Sequence, residues 1–306
     1  MQTVIVSEDY AGLQAQALGL AEAAGLTPRL AVLTPRLPWR WLAAGLWPAP
    51  LAATGLPLPA ERLVIGCGGV GAAVGAALRR AGRQVVQVQN PRMDLRRFDL
   101  VVANRHDRIA GPNVVVTRTA LHRATPARLA EARAIWGPRL AHLPRPLVAV
   151  LVGGSNGRFR LEQAEGEALA GQLAEMIRRD NAGLALTPSR RTAPGVRTAL
   201  RAALEPLGGW VWDMQGENPY FGLLALADAI IVTGDSVSMV SEAVATSAPV
   251  LLAALPGRSR RIGAFTEGLL ADGRVRPFSG RLETWQTSPL DDTQAAADEM
   301  RHRLGF

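Results

Sequence analysis

The sequence predicts an α/β protein of two Rossmann-like domains facing each other across a cleft. Three observations carry this expectation. The chain has 306 residues, roughly twice a typical domain. Short β-branched runs alternate with alanine-rich helical stretches, the pattern of a parallel sheet with right-handed crossovers. A proline-marked break, "HLPRP" at His142 to Pro146, interrupts the alternation, which then restarts.

In the first half the strand candidates are "TVIV", "RLAVL", "LVIGC", "QVVQVQ", "DLVVAN" and "NVVVT". In the second they are "LVAVLV", "GLALT", "WVWDM", "AIIVTG" and "PVLLAAL", separated by helices starting near Leu161, Pro194, Tyr220, Val237 and Arg258. The expected domains are therefore 1–143 and 147–288, with a C-terminal helix in 289–306 returning to pack on the first domain. Ligands of such sheets bind beyond the C-terminal strand ends, so the unusual turns there are the places to look for function.

Composition removes several classes. All 34 basic residues are Arg and none is Lys, which excludes Schiff-base and P-loop lysine chemistry. The single cysteine, Cys67, allows no internal disulfide and no zinc cluster, and no DxD-like acid pair stands at a strand end, so no metal is expected. The first strand begins at Thr3, and apolar stretches are short and broken by Arg or Pro. A cytoplasmic, soluble protein without a signal peptide or spanning helix is the expectation. Up to Val150 there are 18 Arg against 8 acids, and from Leu151 16 against 18. A basic first half suggests an anionic partner there, or a solvated Arg-rich surface.

The turn "TGDSVS" follows "ALADAII" and opens a helix in which Asp235, Ser236 and Ser238 stand at the N-terminus. Such a helix start holds an anion, although Asp235 or Ser236 equally serves as an ordinary N-cap. Two turns on, Glu242 lies in the small, apolar stretch "MVSEAVA", where a carboxylate needs a partner. A ribose diol would be one; an exposed helix position is the alternative. "VLVGGSNG" puts Gly153, Gly154 and Ser155 after the first strand of the second domain, where backbone donors could meet a pyrophosphate. Arg190 and Arg191 follow the next strand, as phosphate ligands or as surface charge.

"GCGGVG", Gly66 to Gly71, has dinucleotide-type spacing. It follows the third strand, and the acidic residue expected after the next strand is replaced by "QNPR", so Gly68 and Gly69 point to tight helix packing or an acceptor phosphate, not to NAD. Gly12, in "SEDYAG", completes the first-domain loops. His106, beside Asp107 at a strand end, is the candidate general base; a loop histidine also serves structure alone. In "LPWRWLAAGLWPAPLAATGLPLP", Trp39, Trp41 and Trp47 stand beside Arg36 and Arg40. That composition suits a membrane interface and a lipid-linked acceptor, or an irregular helix packed on the core. No nucleic-acid-binding fold is evident, and nucleic acid is not an expected partner.

"VTGDSVSMVSEAVATSAPVLL", "LTPSRRTAP", "ENPYFGLLALADAI", "RHDRIAGPNVVVTRTALHR" and "LQAQALGLAEA" together resemble the mitochondrial fission family named for the elongated-mitochondria phenotype. The resemblance covers nearly the whole chain. That family is similar to GT-B glycosyltransferases and nucleotide-sugar epimerases, which hold the nucleotide sugar mainly on the second of two facing Rossmann domains. The resemblance implies a glycine-rich turn at Gly153, Gly154 and Ser155, a phosphate-binding helix start at Asp235, Ser236 and Ser238, and a ribose carboxylate at Glu242. It implies a nucleotide diphosphate sugar as substrate, not a resident cofactor, and a metal-independent glycosyltransferase. The rivals are a non-catalytic adaptor and an epimerase or hydrolase acting on the nucleotide sugar. The first loop departs from the family's usual Asp-Gly and Asn-Gln pattern, reading Glu8-Asp9-Tyr10-Ala11-Gly12 and then Ala15-Gln16.

Overall fold

A computed structural model describes residues Met1–Phe306, and the chain divides into two compact units. The first comprises Met1–Arg123 with Asp291–Phe306, the second Ala124–Leu290.

The first unit is a six-stranded parallel sheet with helices on both faces. Its elements are β1 (Thr3–Ser7), α1 (Ala11–Ala23), β2 (Arg29–Val32), α2 (Pro50–Thr54), β3 (Leu63–Cys67), α3 (Gly68–Arg80), β4 (Gln84–Val88), β5 (Leu100–Asn104) and β6 (Val114–Thr117). The sheet order is β2-β1-β3-β4-β5-β6. β1, β3 and β5 are buried along their whole length, which is why they read as continuous apolar runs rather than alternating ones.

The second unit holds α4 (Pro126–Leu140), β7 (Leu147–Val152), α5 (Gln163–Asp180), β8 (Gly183–Pro188), α6 (Pro194–Leu204), β9 (Trp210–Val211) and α7 (Tyr220–Leu226). It continues through β10 (Ala229–Thr233), α8 (Val237–Val244), β11 (Val250–Ala253), α9 (Arg260–Ala271) and β12 (Val275–Pro277). Its sheet, also parallel, runs β12-β11-β10-β7-β8-β9. Each sheet is covered on both faces by its own apolar core. The short edge strand β12 had no counterpart in the sequence reading.

The expected boundary at 143–147 is corrected. α4 starts at a Thr125 N-cap with Pro126 in its first turn and buries Trp136 and Leu140 among Leu223, Leu226 and Ile230. Gly222 of α7 lies so close beneath Trp136 that a Cβ there would stand 2.4 Å from Trp136 Cγ. α4 thus belongs to the second unit, and the boundary falls at Arg123/Ala124. The final helix, α10 (Thr293–Leu304), packs on α1, with Ala296, Ala297 and Met300 against Ala17, Leu20 and Ala21. At its start Asp292 accepts hydrogen bonds from Arg118 N (2.6 Å) and Arg118 Nη2 (2.5 Å), while Asp291 Oδ1 stands 3.2 Å from His122 Nε2.

The boundary also changes the charge division. The first unit carries 16 Arg against 11 acids and the second 18 against 15, so the asymmetry between halves largely disappears. α4 takes its arginines into the second unit, and the acidic 291–299 stretch joins the first.

Candidate functional site

Open parallel sheets bind ligands where the strand order reverses. In the second unit that point lies between β7 and β10, whose C-terminal ends carry the Gly153 turn and the Thr233–Ser236 turn. The two turns are laced together around one buried carboxylate. Thr233 Oγ1 donates to Asp235 Oδ1 (2.7 Å), and Gly154 N (3.3 Å) and Arg191 Nη2 (2.7 Å) donate to Asp235 Oδ2. Gly153 N donates to Thr233 Oγ1 (2.8 Å), and Arg191 Nη1 to the Gly154 carbonyl (2.9 Å). Ser189 Oγ donates to the Gly153 carbonyl at 3.0 Å, and the Thr192 hydroxyl does likewise.

This lacing explains both glycines. A Cβ on Gly153 would lie 2.2 Å from Asp235 Oδ1, and one on Gly154 2.2 Å from the Arg191 carbonyl. It also corrects two expectations. The Gly153 and Gly154 N–H groups are engaged inside the turn, not presented to a pyrophosphate. The Asp235 side chain is fully buried and braces three loops, so it is not a surface ligand at the helix start. Ser155 is exposed, its hydroxyl accepting from Leu161 N (2.8 Å). Arg190 is exposed, and the Arg191 side chain stays 40% exposed despite its pairing, so both cations can meet an anion.

Ser236 is the N-cap of α8, its hydroxyl accepting from Met239 N (3.4 Å). Ser238 is half-buried in the first turn, whose leading N–H groups have no intrahelical acceptor. Glu242, expected either at a ribose or exposed, is buried. Tyr220, from the "ENPY" turn, donates its hydroxyl to Glu242 Oε2 at 2.5 Å. Burial pushes the Tyr220 phenol well above its usual range, reinforced by the Glu242 charge and hydrogen bond. One depression of about 320 Å³ adjoins this region, lined by Asn156, Arg158, Phe159, Arg160, Pro256 and Gly257. Its two walls are joined by Arg160 N to the Pro256 carbonyl (2.8 Å) and Arg258 N to the Arg158 carbonyl (3.0 Å). Sequence reasoning missed this feature, although Gly257, at φ +131°, marks a turn that only glycine accepts readily.

In the first unit the strand order reverses between β1 and β3. Glu8 and Gly12 follow β1, and Gly68 and Gly69 open α3. Gly68, at φ +76°, lies over Leu13, and a Cβ on Gly71 would stand 2.7 Å from the Val6 carbonyl, so most of this glycine run serves close helix packing. Gly69 alone is exposed, with open space around it. Glu8 is half-buried, and burial raises its carboxyl above the ordinary range. The sequence reading quoted this residue without giving it a role. His106, the expected base, has an imidazole only 3% exposed, with Nε2 3.9 Å from Asp107 Oδ1. The ring is withdrawn from solvent. Of the three tryptophans, Trp47 is buried, its indole N–H donating to the Leu42 carbonyl (3.2 Å), and this corrects its assignment to a membrane face. Trp39 is half-buried, and Trp41 stands out in solvent.

No group of three or more His, Cys, Asp or Glu side chains converges to hold a metal ion, and no helix is long and apolar enough to cross a membrane.

Comparison with known proteins places this architecture. The chain is 33% identical over 278 residues to the mitochondrial fission protein ELM1 of Arabidopsis thaliana, covering 79% of this chain and 64% of that one. It spans less than two thirds of the length of the curated relatives it matches, 64% and 58%. Among solved structures, a Methanocaldococcus jannaschii UDP-GlcNAc 2-epimerase in complex with UDP-GlcNAc and UDP is similar over 100% of both chains, with TM-score 0.59 at 11% identity. Acinetobacter baumannii MurG is similar over 99% of this chain and 90% of its own, with TM-score 0.53 at 16% identity. At such identities the likeness carries the two-domain GT-B fold. The family model for mitochondrial fission ELM1 matches residues 11–304, and the chain belongs to that family.

Proposed function

We propose that the second unit binds a nucleoside diphosphate sugar and that the protein is a glycosyltransferase whose first unit takes the acceptor. The observation that carries this reading is the coincidence, at the β7/β10 reversal, of a helix start, two arginines able to meet an anion and a buried carboxylate two turns along the same helix. The diphosphate would meet the first turn of α8 with Arg190 and Arg191, which stabilise the charge left as the bond from the anomeric carbon to phosphate breaks. Glu242 would accept from the ribose hydroxyls beside Tyr220, and the depression at Arg158–Arg160 is large enough for a base. Glu8, half-buried after β1 in the first unit with its carboxyl raised by burial, would take the acceptor's proton. A lipid-linked acceptor fits the exposed Trp41 region of the same unit.

One observation favours the adaptor reading instead: Tyr220 already occupies Glu242, and the glycine-turn donors are engaged internally. Thermal-shift and calorimetric titration with nucleoside diphosphates and their sugars separate the two. Binding by the wild type is expected, weakened by about 1 to 3 kcal/mol in Glu242→Ala through loss of charge-assisted hydrogen bonds. Unchanged affinity in a folded Glu242→Ala protein would overturn the ribose assignment. No binding of any nucleotide would leave the adaptor. Glu8→Gln should keep donor affinity while lowering turnover about 100-fold or more.

A further inference from the structure

From Ala23 to Ala60 the chain contains three arginines and no acidic residue. Arg29 pairs with Glu61 at 2.6 Å, while Arg36 and Arg40 are exposed. Between and beyond these two, the chain makes two single-turn 3₁₀ helices, Trp39–Trp41 and Ala44–Leu46. Trp41 is 78% exposed, Leu46 76%, Leu37 64% and Leu42 49%. Four large apolar side chains in ten residues standing in water is a cost that nothing within the unit relieves.

The segment is not loose. Trp39 and Ala44 pack against the core that contains Trp47, whose indole N–H ties back to the Leu42 carbonyl. A Cβ on Gly45 would lie 3.8 Å from Met93 Cε, which puts the Arg92–Arg97 stretch alongside. There Arg96 is paired with Asp94, and Arg92 and Arg97 are exposed. The fold thus anchors one side of the segment and displays the other as an apolar tip with a cationic rim.

We propose that Leu37–Leu46 docks on an anionic lipid surface. Trp41, Leu46, Leu37 and Leu42 enter the interfacial layer, and Arg36 and Arg40 meet lipid phosphates. The chemistry selects this occupant. A plane of phosphates above an apolar layer complements an apolar tip rimmed by guanidinium groups. A second copy seated on the same face would bring two sets of arginines together, and the one acid alongside, Asp94, is already paired with Arg96. With no helix able to cross a membrane, the contact is peripheral. This inference stands apart from the nucleotide reading, since it uses none of the second unit's residues.

The test is flotation of the full chain with phosphatidylcholine/phosphatidylglycerol vesicles and with pure phosphatidylcholine vesicles. The protein should float with the anionic vesicles at low salt, less with neutral ones, and release as salt shortens the Debye length. Trp41→Ala/Leu46→Ser should lower binding roughly tenfold or more, because the apolar area it removes is the inserted area. Arg36→Gln/Arg40→Gln should lower it on anionic vesicles only. All four side chains are exposed, so these variants keep the fold, which circular dichroism checks. In wild type, brominated acyl chains should quench indole fluorescence, and Trp41→Ala should remove most of that quenching. Failure of the wild type to float at low salt, or a Trp41→Ala/Leu46→Ser variant that binds as well as wild type, overturns the proposal. So does a dimer in light scattering that the same double substitution abolishes, because a second copy would then be the occupant.

Discussion

Replacing Asp235 tests whether one buried carboxylate organises the second unit's site. In Asp235→Ala, the buried Gly154 N–H and the Thr233 hydroxyl, which is 1% exposed, lose their acceptor. Each costs about 1 to 3 kcal/mol when left unpaired. Arg191 also loses its partner, but its side chain is 40% exposed and water can solvate it, which keeps its share well below that of a buried ion pair. The expected loss is about 2 to 6 kcal/mol, read as a lower urea midpoint at unchanged m-value. Asp235→Asn should lose about half as much, since one oxygen still accepts and the rotatable Thr233 hydroxyl can turn to accept from the new amide. Binding supplies the second readout. If Asp235 acts only by positioning Arg191, nucleotide affinity should fall in Asp235→Ala and in Arg191→Ala but not further in the double variant. Additive losses would mean that Asp235 touches the ligand itself. An Asp235→Ala protein as stable as wild type would refute the bracing argument outright.

The pairing at the start of α10 sets an acid limit. Burial alone would raise the Asp291 and Asp292 carboxyls, but hydrogen bonds and charge from His122 and Arg118 outweigh it and hold both below the ordinary range. A lowered folded pKa gives stability that is present above the unfolded value and lost as pH falls through the folded one. Asp292→Asn should therefore cost about 1 to 2 kcal/mol at neutral pH, a gap that closes below about pH 4 in chemical denaturation. Gly222→Ala should destabilise by about 1 to 3 kcal/mol, the overpacking against Trp136 exceeding the gain in helix propensity. An unchanged melting temperature would mean that α4 does not rest on α7, and the expected boundary at 143–147 would return.

Most strands were legible because buried parallel strands are continuous apolar runs set between alanine-rich helices; "LVIGC" and "LVAVLV" became β3 and β7 with every residue buried. The boundary was misread because the prolines of "HLPRP" look like a linker. The decisive contact, Trp136 over Gly222, joins residues 86 positions apart and leaves no local trace. β12 was missed because three residues, one of them Pro277, carry no periodicity. Trp47 and Trp41 are chemically alike and six residues apart, and only the turns between them decide which is buried.

The glycine turn shows most clearly what a motif leaves open. "VLVGGSNG" announces close backbone approach, and the approach occurs, but to Asp235 and Arg191 rather than to a ligand. That changes the electrostatics of any anion arriving at α8. The Asp235 charge lies just beneath the helix start and, bare, would repel a diphosphate; Arg191, paired to it at 2.7 Å and still 40% exposed, cancels that repulsion and offers an anion its remaining N–H groups rather than a full unit charge. The remaining pull must come from the first turn of α8, equivalent to about half a positive charge, and from exposed cations such as Arg190 and Arg158. Because those cations are exposed, salt screens them, whereas the buried Asp235 lacing is screened far less. Nucleotide affinity should therefore fall steeply with ionic strength while the stability of the second unit barely moves, a separation that a site built on buried phosphate ligands would not show.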